Sequence, residues 1–218
     1  VTDSSGDMGE LNALNAKTTG VLTVGAVNTL TGTSAELATL LNGQTLTTNA
    51  TGFTGFNAGE AIVLSDAITR ATAETAMAAT TAGVTATISD GAVAATLTAI
   101  GNVDANDVIT FTTTDTSADA SDLVALGDKV DTFTTTTVAT ITEAAASIGA
   151  SAVKVTDALA IAANANVTIT NAISAANLDI IAAATTGVVT ATISDGAVAT
   201  TLGAIGNVGT GDSITFTT

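Results

Sequence analysis

Val84–Thr113 reads VTATISDGAVAATLTAIGNVDANDVITFTT, and Val189–Thr218 reads VTATISDGAVATTLGAIGNVGTGDSITFTT. An ungapped shift of 105 positions relates the two, and 24 of the 30 residues are identical. Shared composition does not give that, so the chain is read first as a repeat. Within the stretch, Val84, Ala86 and Ile88 alternate with Thr85 and Thr87, the period of a strand with one buried face. Ser89-Asp90-Gly91 then offers a structural cap for a helix whose Val93, Leu97 and Ile100 share a face, and Gly101-Asn102 offers a left-handed stop. Val108–Thr113 alternates again, with Ile109 and Phe111 inward. The local unit is strand, helix, strand.

Working outward, Thr114–Thr135 resembles Thr2–Thr23 at an offset of 112, pairing Asp115 with Asp3, Asp119 with Asp7, Leu123 with Leu11, Leu126 with Leu14 and Lys129 with Lys17. The chain is therefore read as two copies of one module, residues 1–113 and residues 114–218. The first copy carries its extra residues in the Thr/Gly/Asn-rich Gly43–Gly59, a surface loop or weak strands. The phase of the repeat predicts copies stacked end to end as one continuous body, with further copies able to continue it.

Met8, Leu11 and Leu14 predict a helix over Asp7–Ala16, with Asp7 as cap and Glu10 three residues on. Val21–Leu30 reads as a strand, and Thr33-Ser34-Ala35-Glu36 as a capping box for a helix carrying Leu37, Leu40 and Leu41 and stopped by Asn42-Gly43. A strand over Ile62–Leu64 and a helix over Asp66–Ala79 follow, the latter matched by Ser174–Ala184. A short helix is expected at Thr142–Ile148. Strand-like segments begin near residues 21, 45, 62, 84, 108, 133, 153, 167, 188 and 213, about 21 residues apart, within the solenoid range of roughly 20–50.

Strands separated by helices favour parallel neighbours joined by crossovers. The expected fold is an α/β or β solenoid of strand–turn–short helix units. The alternative is a pair of tandem β-sandwich domains, since about 110 residues is also an immunoglobulin-like size. Helix caps, the absence of proline and the absence of Trp weigh against the sandwich.

Four basic residues stand against 20 acidic ones, a net charge of −16. That leaves no cationic footprint for nucleic acid. It suits a secreted protein kept soluble by self-repulsion, or one that collects divalent cations. Cys and His are absent, so thiolate sites and the familiar nucleophile–base pairs are excluded, and a metal site would be all oxygen. No apolar run approaches the length of about 18 residues that spans a bilayer, so no membrane insertion is expected. No basic start precedes an apolar core, so an export signal has been removed or lies outside this sequence.

Paired carboxylates at Asp104/Asp107 or Asp119/Asp122 could in principle hydrolyse glycosides, but turn and cap contexts favour a protein that is not an enzyme. Calcium is the cofactor the acidic turns suit, with Asp3, Asp7, Asp104, Asp107, Asp115, Asp119 and Asp122 as oxygen ligands. The competing account makes them helix caps and turn closers. Thr85/Thr87, Thr110/Thr112, Thr132/Thr134 and Thr190/Thr192 invite an ice-binding ladder, though high β-propensity explains them more simply. Asn49-Ala-Thr51 and Asn166-Val-Thr168 are glycosylation triplets.

The phrases GELNALNAKTTGVLTV, NTLTGTSAELATLLNG, ASDLVALGDKV and ANLDIIAAATTGVVTATISDG resemble the tandem repeats of giant bacterial, especially cyanobacterial, surface and extracellular proteins found near hemolysin-type calcium-binding regions. The resemblance implies export, a structural or adhesive role and calcium, although the calcium nonapeptides are missing here. The expectation is a structural module of an extracellular filament, sheath, surface layer or adhesin stalk at the cell surface, joined head to tail to copies of itself. The alternative is an adhesive module binding calcium or surface glycans; an ice-binding or carbohydrate-active solenoid is more remote.

Overall fold

The computed structural model of the chain describes residues 1–46, 52–143, 148–194 and 196–217. In chain order the elements are β1 (Ser5–Asp7), α1 (Met8–Asn15), β2 (Leu22–Thr23), β3 (Thr29–Gly32), α2 (Ser34–Leu41), β4 (Phe53–Thr54), β5 (Ala61–Ile68), α3 (Arg70–Ala79), β6 (Val84–Gly91), α4 (Val93–Ala99) and β7 (Val108–Thr113). They continue with β8 (Ser117–Asp119), α5 (Ala120–Gly127), β9 (Thr132–Thr134), β10 (Thr140–Glu143), α6 (Ile148–Ile161), β11 (Asn166–Ile173), α7 (Ala175–Ala184), β12 (Val189–Ile193), α8 (Val198–Ala204) and β13 (Ser213–Phe216). This is a mixed α/β protein with parallel sheets, and among the described residues the strands form no closed barrel. Every described strand register is parallel, so the antiparallel sandwich does not describe it.

Two compact units are distinguishable: Val1–Gly91 with Thr98–Thr112 and Lys129–Thr132, and Ala92–Leu97 with Thr113–Asp128 and Phe133–Thr218. The first unit holds strands in the sheet order β1-β3-β5-β6-β7, so each strand lies beside its near successor in the chain, while β2 and β4 pair separately. Parallel neighbours require a crossover, and α1, α2 and α3 supply it. Gly6, Leu30, Ile62 and Val84 align across four strands as one buried column. Full burial of each Leu, Ile or Val side chain stabilises by roughly 1.5–3 kcal/mol. Leu37, Leu40, Leu41, Ala73, Ala76 and Met77 close the core from the helices.

The second unit holds the order β13-β12-β11-β10-β8. Ala118, Ile141, Val167 and Val189 form its buried column, covered by Leu123, Leu126, Val155, Leu159, Leu178 and Ile181. Here α5 packs on α6, α6 on α7 and α7 on α8. Both units carry the same irregularity: the register slips between Val63 and Ala67 on β5, and between Thr168 and Ala172 on β11.

Local signals are realised closely. Thr33 and Glu36 form both bonds of the capping box, and Asn42 closes α2 in the left-handed region. Asp7 accepts Glu10 N–H at 2.9 Å as the cap of α1, although Leu14 on that helix is exposed. Several expectations are corrected. Val21–Leu30 is two strands, because Val24 N–H bonds Thr54 O while Val27 N–H turns back to Val24 O. Strand β5 runs on to Ile68, so the helix expected from Asp66 begins at Arg70. Ser89, Asp90 and Gly91 extend β6 instead of capping α4. Gly101 and Asn102 do not adopt positive φ. Thr142 belongs to β10, and the helix runs over Ile148–Ile161, displacing the strand expected near 153. There Val153 and Val155 imitate alternation, but Ala152, Val155, Ala158, Leu159 and Ala162 are the buried positions, at helical spacing. Thr45 and Leu46 are not in a strand, and the remainder of the segment expected there, residues 47–51, lies outside the described residues.

Candidate functional site

A helix leaves its first N–H groups without intrahelical partners and carries partial positive charge there. In this chain, acidic residues beyond the helix's own cap reach those ends. Asp66 on β5 accepts Ser34 N–H at 2.8 Å and Ser34 Oγ–H at 2.6 Å, at the start of α2. Asp90 on β6 accepts Arg70 N–H at 2.8 Å, at the start of α3, and pairs with the Arg70 guanidinium at 3.5 Å. Asp115, after β7, accepts Val93 N–H at 2.7 Å. Glu143 on β10 accepts Ser121 Oγ–H at 2.9 Å, in the first turn of α5. Asp90 lies on the first strand after its helix and Asp115 just beyond that strand, whereas Asp66 and Glu143 lie on the second strand, after β4 and β9.

Two further bonds recur between the copies. Asp107 accepts Val84 N–H and Asp104 N–H at 2.7 and 2.9 Å; Asp212 accepts Val189 N–H and Gly209 N–H at 2.8 and 2.7 Å. Glu74 on α3 takes both the backbone N–H and the side-chain amide of Asn102, at 3.2 and 2.6 Å. Asp179 on α7 does the same for Asn207, at 2.7 and 2.8 Å. Asp66, Glu143, Glu74 and Asp179 are not among the expected residues, and Asp90, expected to cap α4, serves α3 instead; the available signal was an acid shortly after each strand alternation or on the helix preceding a Gly-Asn pair.

The seven calcium candidates take these places. Asp3 is exposed and, with Asp7 and Glu10, lines a shallow cleft of about 140 Å³. Asp7 caps α1. Asp104 accepts Asn106 N–H at 2.7 Å and shares its turn with Asp107. Asp115 serves Val93, and Asp119 caps α5 through Ser121 N–H at 2.9 Å. Asp122 lies beside Asp119; burial, then the Asp119 charge, raises its carboxyl above the usual carboxylate range. Among the described residues no group of three or more acidic side chains is placed to hold a metal ion. The paired candidates Asp104/Asp107 are likewise bonded to backbone N–H groups.

Thr142, Thr168, Thr190 and Ser213 align across β10 to β13 on the face opposite the buried column. Parallel neighbours about 4.8 Å apart make this a hydroxyl ladder. Thr85 and Thr87 are exposed, whereas Thr192 is half-buried, as are Thr110 and Thr134. Asn166 is exposed and its Oδ1 accepts Val188 N–H at 2.8 Å; Asn49 lies outside the described residues. In the second unit Val198, Leu202 and Phe216 are exposed and line an apolar groove of about 370 Å³. Among the described residues no helix is long and apolar enough to cross a membrane. Comparison with known proteins finds no family model, curated protein or solved structure that matches the chain.

Proposed function

We propose that this chain is a structural repeat module of an extracellular filament, sheath, surface layer or adhesin stalk, built as an α/β solenoid and joined head to tail with its copies. The observation that carries the reading is the recurrence of the same bonds in both copies: Asp107 with Val84 and Asp212 with Val189, Glu74 with Asn102 and Asp179 with Asn207. Much of the chain's acidic chemistry is thereby engaged in tying successive strands and helices together. Strands advance about 4.8 Å per layer while helices need roughly 8–10 Å, so a stack that keeps a helix in each layer fans into a curve. Electron microscopy of native material, with antibody labelling of intact cells, tests the reading. Curved filaments or a labelled surface layer support it; label confined to the cell interior ends it.

A second reading, a calcium-binding adhesive module, is favoured by Asp119 and Asp122, whose mutual repulsion a cation would relieve. Thermal melts separate the two. The structural reading expects superimposable curves in millimolar calcium and in chelator. The calcium reading expects a higher midpoint with calcium, lost in Asp122→Asn.

A further inference from the structure

We infer that the cleft beside Thr134 and Thr136 is an acceptor slot for an extended peptide of another polypeptide, uncharged and carrying an aromatic residue, which adds alongside this segment as a parallel strand. The site is independent of the structural-module reading above.

The first unit shows what fills such a slot. Leu22 and Val24 donate their N–H groups to Gly52 O and Thr54 O, each at 2.9 Å, and β4 thereby lies parallel to β2 with Phe53 opposite Leu22. Gly55, at φ +105°, comes so close that a Cβ there would stand 2.7 Å from Gly25 N. Phe53 and Phe56 are both buried, with ring centroids 5.7 Å apart. Backbone bonds and two buried aromatic side chains hold this strand in place.

The second copy keeps the slot and lacks the strand. At the offset of 112, Leu22 and Val24 correspond to Thr134 and Thr136. The turn that follows closes alike in both copies, though one residue out of step with that offset: Val27 N–H bonds Val24 O at 2.9 Å, and Val138 N–H bonds Thr135 O at 3.0 Å. Peptide groups alternate sides along a strand. Asp131 spends its N–H on Ile109 O, so Thr134 presents its own on the other side of β9. Among the described residues the peptide groups of Thr134 and Thr136 make no hydrogen bond. With Phe133, Val138, Ala162 and Ala163 they line an open cleft of about 380 Å³, whose Val138 and Ala162 are buried. The positions that fill the slot in the first copy are spent on a helix in the second: at the offset of 105, Phe53–Phe56 falls on Ala158–Ile161, the last turn of α6. An unpaired strand beside an apolar floor is what strand addition by a peptide uses. Among the described residues no charged side chain lines the cleft, so an uncharged segment fits it, with an aromatic residue opposite Thr134 as Phe53 stands opposite Leu22.

Nuclear magnetic resonance tests this with the isotope-labelled 218-residue chain and a capped synthetic peptide, GFTGFNAG, the sequence of residues 52–59. The expected result is saturable binding of one peptide per chain, with amide shifts confined to Thr134–Val138, Ala162 and Ala163. A peptide with both Phe residues replaced by Ala does not bind. Ala163→Trp fills the cleft from an exposed position, and Thr136→Pro removes an N–H donor. Each variant should weaken binding by about tenfold, the worth of roughly one backbone hydrogen bond. Absence of saturable binding, shifts centred on Leu22–Val24 because the peptide displaces β4, equal binding of the alanine peptide, or an Ala163→Trp chain that binds like wild type overturns the inference. Circular dichroism confirms folding, and Ala163→Trp alone decides if Thr136→Pro unfolds.

Discussion

The carboxylate of Asp107 accepts the backbone N–H of Val84 at 2.7 Å, and its second oxygen holds Asp104 N–H at 2.9 Å. One side chain thus fixes the start of β6 and closes the turn that leads into β7. The pair is repeated by Asp212 and Val189. A strand-end N–H that is shielded from water needs a partner, and an ionised acceptor is among the strongest available.

Asp107→Ala is expected to lower stability by about 1.5–3 kcal/mol, the range for hydrogen bonds to charged groups. Asp107→Asn should cost less, because Oδ1 can still serve Val84 while the amide cannot accept Asp104 N–H. Asp212→Ala should also cost less, because the bond it removes is more exposed. Urea unfolding of the three variants checks the order; equal midpoints for wild type and Asp107→Ala would refute it.

The bond from Glu74 to Asn102 is exposed, so its coupling should be modest, about 0.5–1.5 kcal/mol. A double-mutant cycle with Glu74→Ala and Asn102→Ala measures it. Additive losses, with no coupling, would leave the repeated clamp without a role in stability.

These contacts mark where the sequence could be read and where it could not. Thr33 and Glu36 are three residues apart, so their capping box is visible as a local pattern. The alternation of Val84, Ala86 and Ile88 against Thr85 and Thr87 is equally local and is realised as buried and exposed positions. Asp90 stands next to its own helix in sequence, but it serves Arg70, 20 residues earlier. Such a partner follows only once strands are known to be parallel and in order. Ser5-Gly6-Asp7 has no strand propensity, and pairing with Thr29–Thr31 alone makes it a strand. Phe111 and Phe216 lie in the same Ile-Thr-Phe-Thr-Thr run, so no pattern within that run separates the buried from the exposed one.

The two perturbed carboxyls should give stability curves of opposite sign in acid. The Ser34 hydroxyl bond, with the Ser34 backbone bond, outweighs desolvation and holds Asp66 below the usual carboxylate range. Its folded pKa is depressed, so its contribution is present above the unfolded value of about 3.9 and is lost as pH falls through the folded value. Asp66→Ala should therefore be less stable than wild type at neutral pH, with the gap closing in strong acid.

Asp122 is raised, so ionisation costs the folded state stability as pH rises from the unfolded value through the folded one. Asp122→Asn should then be more stable than wild type at neutral pH, with that gap closing below the unfolded value. Thermal midpoints from pH 2 to pH 7 read both, and curves parallel to wild type would refute the assignments.

Gly187 and Gly203 should respond to the same substitution with opposite signs. A Cβ on Gly187 would stand 2.5 Å from Ala165 O and 2.7 Å from Ala165 C. Both are backbone atoms, and the carbonyl oxygen also accepts the Thr185 hydroxyl at 2.8 Å, while Thr185 in turn receives Gly187 N–H at 2.9 Å. The strand start cannot yield without breaking that chain, so Gly187→Ala should cost about 1–3 kcal/mol, as overpacking does. Gly203 lies inside α8, where a Cβ meets nothing within 4 Å. There the new methyl group only reduces the conformational freedom of the unfolded chain, so Gly203→Ala should stabilise by about 0.5–1 kcal/mol. Unfolding midpoints of the two variants decide the matter: a neutral Gly187→Ala would mean that β12 does not approach Ala165 so closely, and a destabilising Gly203→Ala would mean that α8 is not a helix at that residue.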